Sequence, residues 1–171
     1  VSNKDDFIFF KNNFKEAQSD FEIMKKIIMK SLLIKRSYIE RDEFDTGIRQ
    51  VFNYGHSFGH AIEGLTNYSI PHGIAVSFGI DIANYISYKK KLINKSIFYE
   101  IHEVVKIIYN GYSIKDLDQL AFIKTLKKDK KNVDDKLGLI LIKGFGKAFK
   151  KLVLPDKNFK IFLKSYFKEY C

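Results

Sequence analysis

The sequence predicts a mainly α fold carrying one small β-hairpin near residues 137–154. Apolar residues recur at helical spacing along most of the chain. Prolines are confined to Pro71 and Pro155, and one pair of short apolar runs flanks Gly144-Phe145-Gly146. At 171 residues with 46% hydrophobic and 15% aromatic composition, the chain has the means to build one substantial core, so residues 1–171 read as a single domain.

Phe7 to Phe14 is a short aromatic-rich segment. From Asp20 to Ser37, Phe21, Met24, Ile27, Ile28, Leu32 and Leu33 alternate with lysines at the period of an amphipathic helix. Glu40–Glu43 is a charged connector, after which Asp45 or Thr46 is the expected cap of a helix running to about Leu65. Asn67–Pro71 reads as a turn. Ser69 is the candidate cap of a helix with Pro71 in its first turn, continuing to about Tyr88. Further helices are expected over 96–109 and 114–126, then a lysine-rich loop at 127–132. Strands at 137–142 and 150–154 joined through the glycine turn follow, and Asp156 caps a closing helix to about Phe167.

Composition narrows the function classes. No apolar run reaches the eighteen or so residues of a membrane span, and no secretory leader pattern opens the chain. The one cysteine, Cys171, excludes a disulfide framework and a thiolate metal site, so a reducing, cytoplasmic setting is expected. The net charge of +10 is carried by lysine, since only Arg36, Arg41 and Arg49 among 30 basic residues are arginine. Nucleic-acid readers favour arginine for bidentate contacts. No nucleic-acid partner is expected; a basic field attracting a small anionic substrate fits better, and undirected compositional bias better than either.

Chemistry concentrates in one stretch. Three of the four histidines, His56, His60 and His72, fall within 17 residues. If one helix spans the region, Arg49, Asn53, His56, His60 and Glu63 line one face, being 4, 3, 4 and 3 residues apart. Guanidinium, amide, imidazole and carboxylate together make the wall of a site rather than a core face. HxxxH alone is weak, because satisfied core histidines are common. His72, just past a turn, can return beside the first helix and complete a metal-binding set, and Gly55 and Gly59 suit close backbone approach. Glu63 reads either as a partner of a histidine ring nitrogen or as an exposed residue. His102 has no companions and reads as a surface helix residue.

The run Lys35, Asp42-Glu43, Gly47-Ile48-Arg49, Asn53-Tyr-Gly-His56-Ser-Phe-Gly-His60-Ala-Ile-Glu63 and His72-Gly73-x-Ala75-Val76 resembles 3-dehydroquinate synthase. Asp129-Lys130-Lys131, a following strand and Gly144-Phe-Gly146 resemble a later motif of that family, and Asp6–Phe10 resembles an earlier segment. The resemblance implies the helical C-terminal domain of the dehydroquinate synthase-like fold, with His56 and His72 as ligands of zinc or cobalt. It implies that His60 and Asn53, with Lys130 or Lys131, contact the substrate phosphate, and that Lys35 and Arg49 hold its carboxylate. His60, Lys35 and Arg49 are the candidate catalytic residues. The implied reaction cyclises a small anionic sugar acid phosphate, 3-deoxy-D-arabino-heptulosonate 7-phosphate, to 3-dehydroquinate with loss of phosphate. NAD would be held by an N-terminal domain that this chain lacks, so the chain alone is expected to be inactive; the complete enzyme is expected to be a homodimer.

Ile74 stands where the family usually has glutamate after His-Gly. Another sugar phosphate cyclase, such as a 2-deoxy-scyllo-inosose or valiolone synthase, therefore stays open. So does a non-catalytic metal-binding or interaction module.

Overall fold

The computed structural model describes residues 1–170. Most of its helices begin where short polar side chains stand ready to take the orphan amides of a first turn. Asn3 accepts from the Asp6 amide at 2.8 Å and opens α1 (Lys4–Asn13). Asp20 takes the amides of Glu22 and Ile23 and opens α2 (Phe21–Ile39). After α3 (His56–Leu65) and α4 (His72–Lys89), Asn94 caps α5 (Lys95–Ile108) and Asp118 caps α6 (Gln119–Leu126). The hairpin of β1 (Leu137–Ile142) and β2 (Ala148–Val153) precedes α7 (Lys157–Tyr170). Asp156 accepts from the Phe159 amide at 2.8 Å, the cap expected from sequence. The fold is mainly α with a single antiparallel hairpin among the described residues.

Two compact units make up the fold: Val1–Phe52 with Phe145–Lys147, and Asn53–Gly144 with the residues from Ala148 on. In the first, Phe7 packs on Phe145 with centroids 4.8 Å apart, and Tyr38 meets Phe52 edge-on. Helix α2 has the predicted amphipathic period but buries none of its residues; Ile28, Met29, Leu32 and Leu33 are all half exposed or more.

The second unit holds the main core. α3 packs on α4, and α4 in turn contacts α5, α7 and β1. Phe58, Ile62, Phe78, Ile82, Phe122 and Leu126 are at most 2% exposed. The α3–α4 approach is so close that a Cβ on Gly79 would lie 2.0 Å from the Gly55 carbonyl oxygen. β1 is buried along its whole length, as its uninterrupted Leu-Gly-Leu-Ile-Leu-Ile run requires, and the Ile142 amide donates to Ser87 Oγ on α4. Leu137 pairs with Val153 and Ile142 with Ala148, so β2 begins two residues before the expected Lys150.

Three local expectations are corrected. Neither Asp45 nor Thr46 caps a long helix through the histidines. A short 3-10 helix spans Ile48–Asn53, and Gly55 then adopts φ +78°, which ends helical continuity before α3 begins at His56. Ser69 does not cap α4, which follows Pro71 without a side-chain cap. The helix expected from Ile114 starts only at Gln119, because Asp118 takes the amides of Leu120 and Ala121. No helix of the described residues is long and apolar enough to cross a membrane.

Candidate metal and anion site

The break at Gly55 changes how the site is built. Arg49 and Asn53 do not continue the face of the histidine helix. His56, His60 and Glu63 share α3, and His72 opens α4 beside them. Val76 lies within 3.0 Å of where a Gly59 Cβ would stand, and this close crossing lets the N-terminal turn of α4 sit against α3. The three rings then converge. Centroids of His56 and His72 are 5.5 Å apart, those of His56 and His60 5.7 Å, and those of His60 and His72 5.9 Å.

Glu63 is a buried carboxylate facing this cluster. Its Oε1 lies 3.1 Å from His72 Nδ1, and one ligand atom each of His60, Glu63 and His72 lie within 4.8 Å of one another. Of the two readings of Glu63, the partner of a histidine ring holds and the exposed residue does not. His56 Nδ1 faces the Tyr54 carbonyl oxygen at 3.3 Å. Burial holds the His56 pKa below the ordinary imidazole value. The Tyr54 carbonyl opposes that shift, while electrostatic interaction with His60, His72 and Lys131 adds to it. A neutral imidazole is the form a metal needs. Imidazole nitrogens with a nearby carboxylate are donors that zinc accepts, so the residues present fit such an ion.

Beside His60 a cleft of about 420 Å³ is lined by Ser57, His60, Ala61, Thr125 and the turn Lys128–Lys131. Asp129 shapes that turn: its Oδ1 accepts from the Lys131 amide at 2.9 Å. The Asn132 side chain ties the turn to the Leu126 carbonyl and to the Gly138 amide at the start of β1. Three ammonium groups and an imidazole around one concavity suit a phosphate-sized anion. Lys130 and Lys131 both line it, so the sequence-stretch candidates His60, Lys130 and Lys131 are brought together. Ser57, Thr125 and Lys128 join them; Ser57 lies inside the histidine motif and Lys128 inside the lysine-rich loop, while Thr125 belongs to no motif.

The remaining candidates are Lys35 and Arg49 of the first unit and Asn53 of the second. Lys35 is exposed on α2 in the first unit. In that unit Arg49 donates through Nη1 to the Glu43 carbonyl at 2.6 Å, and its amide donates to Asp42 Oδ2 at 2.9 Å. Asn53 is half-buried at the end of the 3-10 helix.

His102 is the clearest correction outside the site. It is 4% exposed, not a surface residue, and its Nδ1 lies 2.7 Å from Asp81 Oδ2. Tyr109 and Tyr166 donate to the same oxygen at 3.0 and 2.7 Å. The signal was in the spacing: Phe98, His102, Val105 and Tyr109 follow one helical face, so His102 turns inward with its apolar neighbours.

Comparisons with known proteins agree with this architecture. Residues 1–132 match the family model for the 3-dehydroquinate synthase C-terminal domain. The 3-dehydroquinate synthase of Pelagibacter ubique is 35% identical over 173 residues, spanning 96% of this chain and 46% of that protein. That of Clostridium beijerinckii is 34% identical over 146 residues, spanning 84% of this chain and 41% of that protein. The chain thus spans less than half the length of these relatives. Among solved structures, 2-epi-5-epi-valiolone synthase from Streptomyces hygroscopicus, with NAD+ and Zn2+ bound, superposes with TM-score 0.83 at 13% identity, over 100% of this chain and 48% of that one. 2-Deoxy-scyllo-inosose synthase complexed with carbaglucose-6-phosphate, NAD+ and Co2+ superposes with TM-score 0.72 at 24% identity, over 86% and 41%. By the family match and by these identities, the chain belongs to the 3-dehydroquinate synthase family, as its C-terminal domain.

Proposed function

We propose that this chain provides the metal- and phosphate-binding half of a 3-dehydroquinate synthase, acting on 3-deoxy-D-arabino-heptulosonate 7-phosphate with release of phosphate. The observation that carries the reading is the convergence of His56, His60 and His72 next to a cleft rimmed by Lys128, Lys130 and Lys131. A cation-binding set adjoining an anion-binding set suits a substrate with hydroxyls at one end and phosphate at the other.

His56 and His72 would hold the ion, which when bound raises the acidity of substrate hydroxyls and polarises a carbonyl. His60, at the junction of the two sets, would donate a hydrogen bond to the phosphate. Lys130 or Lys131 would stabilise the negative charge that grows on the phosphate oxygens as it departs. Asn53 would add an amide donor, and Arg49 and Lys35 would form the carboxylate grip. No role toward NAD is assigned to the described residues.

The native gene product, supplied with zinc, NAD and the heptulosonate phosphate, is expected to form 3-dehydroquinate and inorganic phosphate in equal amounts. Ile74, in place of the usual glutamate beside His72-Gly73, favours a second reading as another sugar phosphate cyclase. Turnover of glucose 6-phosphate with none of the heptulosonate phosphate would transfer the assignment to that class.

A further inference from the structure

The carboxylate of Glu63 has work to do that its position on α3 alone does not explain. It is 8% exposed, and an ionised group held away from water needs a hydrogen-bond donor. The side-chain atom facing it across the α3–α4 junction is His72 Nδ1, 3.1 Å from Oε1. The Glu63 backbone carbonyl is separately engaged, accepting from the Tyr68 amide at 2.8 Å, so the turn between the two helices is pinned at the same residue.

We propose that Glu63 is a positioning residue for His72: by accepting the Nδ1 proton it fixes the ring's tautomer and orientation and leaves the Nε2 lone pair for a divalent cation. A neutral imidazole carries one N–H, so the nitrogen that donates determines which nitrogen can ligate. His56 obeys the same logic with a different acceptor, its Nδ1 facing the Tyr54 carbonyl oxygen at 3.3 Å. Two rings 5.5 Å apart are thus each held at Nδ1, one by backbone and one by a buried carboxylate, and both offer Nε2. The carboxylate also makes the His72 ring more electron-rich, which the neutral carbonyl does less well. The inference rests on the cation-site reading above, but not on which sugar phosphate is the substrate.

The test uses Glu63→Gln, which keeps an oxygen acceptor, and Glu63→Leu, which does not, in the full-length protein. Nitrogen-15 NMR of the metal-free protein at alkaline pH should show His72 protonated on Nδ1 in the parent and in Glu63→Gln. Protonation on Nε2 should dominate in Glu63→Leu. Calorimetric titration with zinc should show an affinity loss of about 10- to 100-fold for Glu63→Leu and at most a few-fold for Glu63→Gln. Equal, complete loss of zinc in both variants would make the carboxylate a direct ligand and overturn the proposal. So would an Nε2-protonated His72 in the parent, a readout that survives even if Glu63→Leu fails to fold. The tautomer measurement needs neither metal nor substrate, so its failure is separable from failure of the cyclase assignment.

Discussion

His102 and Asp81 form a buried pair, Nδ1 to Oδ2 at 2.7 Å, in the helical core of the second unit. The same oxygen receives Tyr109 and Tyr166, so one carboxylate from α4 gathers donors from α5, the turn that follows it and α7. Asp81→Ala should therefore destabilise by about 3–5 kcal/mol, because it strands three buried donors at once. Urea unfolding followed by circular dichroism measures this; a loss below about 1 kcal/mol would mean the network contributes little.

The Gly79–Gly55 contact makes a second stability prediction. A methyl group at residue 79 would meet the Gly55 carbonyl at 2.0 Å, and the obstacle is backbone rather than a flexible side-chain tip. Gly79→Ala should force α3 and α4 apart at a cost of about 1–3 kcal/mol. It should also weaken zinc binding, since His72 sits at the start of α4 and Glu63 on α3. A variant with parental stability and zinc affinity would show that the crossing yields freely.

Asp42 carries a pH dependence. The Arg49 amide bonded to its carboxylate is the largest cause holding its pKa below the ordinary aspartate value, helped by the amides of Gly47 and Thr46. A depressed pKa means stability that is fully present above the unfolded value near 3.9 and lost as pH falls through the folded one. Amide-exchange protection at Gly47 and Arg49 should therefore persist at about pH 4 and disappear together at lower pH. Asp42→Asn should lack that protection already at neutral pH. An NMR titration placing Asp42 at the ordinary carboxylate value would contradict this.

The lysine turn makes a prediction about ligands. Removing both Lys130 and Lys131 to alanine deletes two charge-assisted donors from the rim of the cleft. Inorganic phosphate should then bind at least about tenfold more weakly, as one such bond is worth about 1.5–3 kcal/mol. Single variants should divide the loss unequally and so identify the lysine in contact with phosphate. Unchanged phosphate affinity in the double variant would remove the turn from the site.

Much of this could be read from the residues in order. Local rules sufficed wherever a segment's own side chains satisfy its backbone. Asp156 caps α7, and the apolar run 137–142 forms a buried strand. The pair His56 and His60 shares a helical face because 3.6-residue geometry is intrinsic to the chain. The motif spanning Lys35 to Val76 carries the family resemblance in residue order alone.

Tertiary structure decided what depends on residues far apart in sequence. The single stripe from Arg49 to Glu63 failed because Gly55 takes a left-handed backbone conformation where Ile80 and Val76 approach, a demand that comes from α4 and leaves no trace in local periodicity. His102 looked solitary because its partner Asp81 lies 21 residues away on another helix. Glu63 could be either a partner or an exposed residue until the α3–α4 crossing set it against His72. Residue order sets which chemistries are available and which helices carry them; the close packing of α3 on α4 sets which side chains meet.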